Sequence, residues 1–252
     1  MSDNNGNSQY LLQMVGIHKW FGRVHALRGV DFAVKKGEVV GLVGDNGAGK
    51  STLIKVASGY HRADAGQIFF EGKEVSIHST KDARALGVET VYQEQALAPH
   101  LSIARNIFMG REPTTFLGFM DKKTMNAQSM EALANIGLKL RSPDTPVSTL
   151  SGGQRQGVAI ARVINFKAKL VILDEPTIAL SVKEVHEVLE FVRGLREKGI
   201  SVIFITHNLH HVYSAADRIV VLAQGETLVD VPTKDTTVDH LSDIIVKSTI
   251  GA

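Results

Sequence analysis

Five residues, Val39-Val-Gly-Leu-Val43, run directly into Gly44-Asp-Asn-Gly-Ala-Gly-Lys50-Ser51, and this junction constrains the fold more than any other stretch. An apolar run of that length, bounded by glycine, reads as a strand buried on both faces. The segment after it has the Gly-x4-Gly-Lys-Ser spacing that joins such a strand to a helix, expected here over Ser51 to Ser58. Gly44, Gly47 and Gly49 let backbone N–H groups crowd around phosphate oxygens without Cβ clashes. The helix start adds its own unpaired N–H groups and the positive end of its dipole. Lys50 offsets charge on outer phosphates, and Ser51 offers a hard oxygen to Mg²⁺. Asp45, Asn46, Ala48 and Thr52 complete the stretch that wraps the phosphates. The competing reading is an ordinary glycine-rich turn.

Similar buried strands are expected at 170–174, 202–206 and 219–222, which implies a mostly parallel sheet covered on both faces. Residues 10–45 and 66–92 alternate apolar and polar, as in Gln67-Ile-Phe-Phe-Glu-Gly72, and read as antiparallel strands. Residues 98–166 read as helices, with breaks around 110–118 and 143–146. The expected organisation is an α/β core over 10–97 and 166–252, an inserted helical lobe over 98–165, and a frayed polar tail over 1–9.

The chain has 252 residues, 44% hydrophobic and 21% charged, enough for a sizeable core. Its net charge of +2 provides no strong basic field, so nucleic acid is not an expected partner. No apolar run reaches the roughly 18–20 residues that span a bilayer, and the start has no secretory pattern. The absence of cysteine excludes disulfides and thiolate chemistry. A cytosolic protein that docks on a membrane partner is the expectation.

A second apolar strand, Lys169-Leu-Val-Ile-Leu173, closes on Asp174-Glu175. Open α/β sheets bind ligands at the carboxyl ends of their strands. Asp174 there would hold Mg²⁺ and Glu175 would polarise an attacking water, against a plain solvated strand end as the alternative. A third element, Leu150-Ser-Gly-Gly-Gln154, starts about one hundred residues after the phosphate loop. Ser151 and Gln154 fit a capping box for the helix that follows. The glycines would also leave a second phosphate-shaped surface, which one chain with its own phosphate loop does not need.

These three elements, in this order, resemble the nucleotide-binding subunit of ATP-binding cassette (ABC) transporters, over about residues 10–230. The resemblance implies an α/β, P-loop NTPase core with a mostly parallel sheet, an N-terminal antiparallel β subdomain and an inserted helical subdomain. It implies an ATPase whose cofactors are ATP and Mg²⁺. In this family two copies sandwich two ATP molecules head to tail, each between one phosphate loop and the opposite pentapeptide. Ser151, Gly152, Gly153 and Gln154 would thus serve the nucleotide of the partner copy. Phe21, in Lys19-Trp-Phe-Gly22, looks like the aromatic that stacks on adenine, with a core aromatic as the alternative. Trp20 would point to the other face of the strand. Gln93 matches the glutamine that reaches Mg²⁺ and the attacking water. His207 resembles the histidine that contacts the γ-phosphate and orients water. A metal cluster with His210 and His211 is the alternative to placing those two on the first turn of a helix.

One departure stands out. The family's usual Ser-Ala-Leu-Asp is Ile178-Ala-Leu-Ser181 here, so the aspartate that ties the two sites across the pair is replaced by an uncharged serine. Ala104-Arg-Asn-Ile-Phe-Met-Gly-Arg-Glu112, Thr206-His-Asn-Leu-His-His211 and Ala216-Asp-Arg218 resemble the subunits that energise uptake of simple sugars such as ribose, fructose or xylose. That likeness implies membrane permease subunits as partners, an extracytoplasmic sugar-binding protein indirectly, and a peripheral place on the cytoplasmic side of the cell membrane. The chain carries no glutamate-rich segment of the exporter kind before Leu150, and with its end near residue 252 the C-terminal regulatory domain of some disaccharide importers is not expected. The alternatives are a cassette for another transported substrate, or one acting on nucleic acid or ribosomes. The latter usually carry a long coiled-coil insertion or two cassettes, and neither is read here.

Overall fold

A computed structural model describes residues 9–91, 97–178 and 180–250. Gln93 and the tail up to residue 8 lie outside the described residues. The elements in chain order are β1 (Tyr10–Phe21), β2 (Val24–Lys35), β3 (Val39–Val43), α1 (Lys50–Ala57), β4 (Ala65–Phe70), β5 (Lys73–Val75), α2 (Thr80–Leu86), β6 (Val88–Val91) and α3 (Ile103–Phe108). They continue as α4 (Lys122–Asn135), α5 (Gly152–Asn165), β7 (Leu170–Asp174), α6 (Val182–Glu197), β8 (Ser201–Ile205), α7 (Leu209–Ala215), β9 (Arg218–Ala223), β10 (Glu226–Pro232) and α8 (Val238–Ile250).

The chain divides into two compact units. The first joins the described part of Met1–Thr90 with Lys169–Pro176 and the described part of Leu189–Ala252; the second joins the described parts of Val91–Ala168 and Thr177–Val188. The segment just after the acid pair thus groups with the helical unit.

The first unit has two sheets. One is antiparallel, in the order β2-β1-β4-β5; the other has six strands in the order β10-β9-β3-β8-β7-β6. In the larger sheet β3 pairs parallel with both β8 and β9, and β7 pairs parallel with β8. β3 and β8 are buried along their whole length, as their apolar runs require when both faces are covered. The antiparallel β10 forms one edge, half exposed and ending on Pro232, a residue that cannot extend a ladder. β6 differs from its sequence pattern: alternation groups it with the antiparallel strands, yet it forms the other edge of the large sheet. The carbonyl of Gly87, just before it, accepts from the N–H groups of Lys169 at 2.9 Å and Leu170 at 3.1 Å, which ties it to the start of β7.

Arg218 locks this unit across its strands. Its guanidinium donates to Glu38 Oε1 at 2.8 Å and Oε2 at 3.1 Å, to Asp230 Oδ1 at 2.6 Å and to the carbonyl of Ala33 at 2.5 Å. Burial alone would raise the Glu38 carboxyl, but the hydrogen bonds from Arg218 and from the Lys35 amide outweigh it and hold the group below its ordinary range.

The second unit packs α3, α4 and α5 around Ile103, Ile107, Met125, Leu133 and Val158. Each helix opens on a short polar side chain that accepts the amide three residues on: Ser102 from Arg105, Asp121 from Thr124, Ser151 from Gln154. The fully buried Asn106 is satisfied by the carbonyls of Ala98, Leu101 and Ser102 and by the amide of Ala98. It pins the approach to α3.

Candidate functional site

Because β3, β8 and β7 are parallel neighbours, their carboxyl ends lie on one edge of the sheet. That edge receives the glycine-rich loop from β3, Asp174-Glu175 from β7 and Thr206-His207 from β8. Strand order therefore gathers residues that are 163 positions apart at the extremes (Gly44 and His207).

The loop is forced into shape by its surroundings. Gly44 has φ +148°, and a Cβ there would lie 2.1 Å from the carbonyl oxygen of Leu222 on β9. Gly49 has φ +104°, and a Cβ would lie 3.0 Å from the carbonyl oxygen of Ala26 on β2. Only glycine fits either place. Gly49 is the N-cap of α1 and supplies no side chain, so no side chain caps that helix start. The buried Lys50 turns back, and its Nζ donates to the carbonyls of Gly44 at 2.7 Å and Asp45 at 2.9 Å. Burial lowers its pKa, opposed by the charges of Glu175, Asp45 and Asp174. The loop and α1, with Val24, His25, Ala26, Arg28 and Gln224, line a cavity of about 540 Å³. Asn46, Gly47, Ala48, Gly49, Lys50, Ser51 and Thr52 all face it.

Asp174 ends β7, and its carboxyl is raised above the ordinary value by burial and by the neighbouring Glu175 charge, against Lys55 and Lys50. Glu175 has a left-handed backbone, φ +51°, which is uncommon for a non-glycine residue and is held by its N–H donating to the carbonyl of Ile205 at 2.9 Å. Its carboxylate receives the His207 backbone N–H at 3.1 Å, and the His207 Nδ1 lies 3.1 Å from Oε2. Nδ1 is thus engaged by this carboxylate, and Nε2 is the ring nitrogen left for a second contact. His210 and His211 sit on the first turn of α7, where the Asn208 side chain accepts their amides.

Phe21 and Trp20 engage different partners. Phe21 is exposed and meets His61 edge-on at 5.0 Å. Trp20 stacks on His25 at 4.3 Å and 10°, and His25 hydrogen-bonds His18 at 3.0 Å. Phe21 is not among the residues that line the cavity; His25 and Arg28 are, and the sequence reading did not single them out. Their signal was position alone: they lie on β2, whose Ala26 carbonyl crowds Gly49.

In the helical unit, Ser151 Oγ accepts the Gln154 amide at 3.3 Å and Gln154 Oε1 accepts the Ser151 amide at 3.0 Å. The capping box is therefore complete. Ser181 serves the next helix: its N–H and its hydroxyl both donate to Glu184 Oε2 at 2.9 Å.

A family profile described as ABC transporter matches residues 27–178. The xylose/arabinose import ATP-binding protein of Sulfolobus acidocaldarius is 47% identical over 241 residues, 96% of each chain. The fructose import ATP-binding protein of Rhizobium meliloti is 44% identical over 234 residues, 90% of each. A ribose import ATP-binding protein of Streptomyces avermitilis is 44% identical over 244 residues, and there the chain spans 46% of the longer protein. Among solved structures, a nucleotide-free ATP-binding cassette from an ABC transporter superposes with TM-score 0.85 at 27% identity, covering 96% of this chain and 100% of that one. Another such cassette, in its ADP conformation, gives TM-score 0.82 at 25% identity, covering 97% of this chain and 100% of that one. The chain belongs to the ABC transporter family, as an ATP-binding cassette ATPase.

Proposed function

We propose that the chain is the ATP-hydrolysing subunit of an importer for a simple sugar. It works as a head-to-tail pair with a second copy, against membrane permease subunits at the cytoplasmic face of the membrane, with an extracytoplasmic sugar-binding protein supplying the cargo. The observation that carries the catalytic part is the meeting of Glu175 and His207 at the ends of β7 and β8, beside Lys50 at the start of α1. The sugar rests on 47% identity to a xylose/arabinose import protein over nearly the whole length of both chains.

The uncapped amides of α1 and the loop Gly44–Thr52 take the phosphates, and Lys50 exchanges its two loop carbonyls for phosphate oxygens. Phe21 supports the adenine. The Ser51 hydroxyl and the Asp174 carboxylate are hard oxygen donors that suit Mg²⁺, with Gln93 as a further ligand and water contact. Bound there, Mg²⁺ would neutralise charge on the outer phosphates. Glu175 orients and polarises the attacking water, and His207, held beside that carboxylate through Nδ1, contacts the terminal phosphate and helps to orient the same water. Ser151, Gly152, Gly153 and Gln154 of one copy complete the site of the other. Catalysis on this account is positioning and charge stabilisation without a covalent intermediate.

Glu175→Gln tests the reading. ATP binding is expected to persist, hydrolysis to fall by roughly 10²- to 10⁴-fold, and a dimer to accumulate with ATP and Mg²⁺ on size-exclusion chromatography. A variant that hydrolysed ATP at the parent rate would overturn the role of Glu175. One that stayed monomeric would overturn the paired site.

A further inference from the structure

Glu184 has no part in the hydrolytic machinery, yet its carboxylate stands at a decisive place. It lies on the first turn of α6, and Ser181 holds its Oε2 with both the backbone N–H and the hydroxyl, each at 2.9 Å. The Glu184 amide returns a bond to Ser181 Oγ at 3.4 Å. The other oxygen, Oε1, rests on Gly152, the first residue of α5: a Cβ there would lie 1.8 Å from Oε1 and 2.8 Å from the carboxylate carbon. A glycine is thus required at 152 for the carboxylate to come so close. The two Ser181 hydrogen bonds, and then the charge of Arg155 on α5, hold the Glu184 carboxyl below its ordinary range. Ser181 itself is the uncharged residue found where the family carries an aspartate; in this chain the negative charge sits one helical turn later.

The positive end of α5 therefore already faces an anion from its own unit. On the proposed function, a terminal phosphate of the partner's nucleotide approaches that same helix end. Two anions cannot share it without repulsion, so one must move. We infer that Glu184 is a positioning residue for closure of the pair: its carboxylate holds Leu180–Ser181 against the start of α5 in the single subunit, and yields that place to the partner's terminal phosphate. Release of Oε1 from Gly152 frees Ser181 at the moment the second site is completed. Nucleotide arrival at one site is thereby transmitted to the segment that follows the acid pair.

This inference rests on the paired reading, and the test separates the two. In the Glu175→Gln background, the ATP concentration for half-maximal dimerisation is measured by light scattering with and without Glu184→Gln. Glutamine keeps an oxygen to accept from Ser181 but removes the charge. The midpoint is expected to fall roughly two- to fivefold per contact, the scale of one charge at a helix end, and the difference is expected to shrink in high salt. An unchanged or raised midpoint overturns the inference while the parent dimer leaves the pairing intact. Hydrogen exchange at the amides of Gly152–Arg155 gives a readout that needs no dimer. In the single subunit without nucleotide, Glu184→Gln is expected to speed exchange there, since a nearby carboxylate repels hydroxide. Equal exchange in the two proteins would likewise overturn the inference, even if the parent failed to pair.

Discussion

Two helices of this chain begin on glycine-rich segments, and they treat the same physical problem in opposite ways. α1 starts after a left-handed Gly49 with no side-chain cap, and its loop is wedged against the carbonyls of Leu222 and Ala26. α5 starts on Ser151 with a complete capping box, and a carboxylate from α6 rests on its first residue. Both ends present a positive dipole and unpaired amides. The difference teaches what each end waits for. On the proposed function, the start of α1, bare and shaped by its neighbours, waits for phosphates of the chain's own nucleotide. The start of α5 is capped within its own unit and, on the inference above, is opened by the partner's nucleotide.

The strongest way to break this contrast is to remove the enforced shape of α1. Gly44→Ala drives a methyl into the Leu222 carbonyl, so backbone must shift. We expect a loss of about 1–3 kcal/mol of stability, the usual cost of overpacking, together with loss of ATP affinity in a fluorescent-nucleotide titration. Unchanged affinity would mean that the loop is not held by β9. The opposite test is Ser151→Ala, which removes the cap of α5. It is expected to cost about 1 kcal/mol, seen as a thermal midpoint lower by roughly 2–4 °C. If stability did not change, α5 would be as bare as α1 and the contrast would fail.

A smaller effect sharpens it. Asp174 is raised by burial and by Glu175, so the folded state holds its proton more tightly than the unfolded chain, whose carboxyl titrates near 3.8. As pH rises from 3.8 through the higher folded value, the unfolded state releases its proton first and stability declines. Asp174→Asn should therefore be more stable than the parent at neutral pH, with the advantage vanishing below about pH 3.8. Denaturant midpoints across pH would show it. An advantage that grew towards acid would reverse the sign and remove the strain attributed to this end of the sheet.

Much of this was legible from local pattern. Strands buried on both faces are unbroken apolar runs, so β3, β7, β8 and β9 could be read to within a residue or two. The phosphate loop announces itself because backbone crowding admits only glycine at set positions. The capping box of α5 is a four-residue pattern, and so is Ser181-x-x-Glu184, though its second partner is not. The membership of β6 in the large sheet was not legible, because a short alternating strand satisfies either sheet until Gly87 finds β7. The cavity walls His25 and Arg28 were missed for a similar reason: their place comes from β2 folding beside the loop.

The sequence by itself determined the chemical inventory and the local frames: a glycine cradle with Lys50 and Ser51, an acid pair at a strand end, a capped helix start, and the family that combines them. These depend on neighbours within a few residues, where propensity and spacing act directly. Only the tertiary structure decided that Glu175 takes a left-handed backbone tied to Ile205, that His207 closes on its carboxylate, and that Glu184 covers Gly152. Those contacts join residues that are 30 to 32 positions apart in the chain. The pairing of β7 with β8 sets the first two, and the approach of the Glu184 side chain, on the first turn of α6, to the start of α5 sets the third. No local preference encodes them.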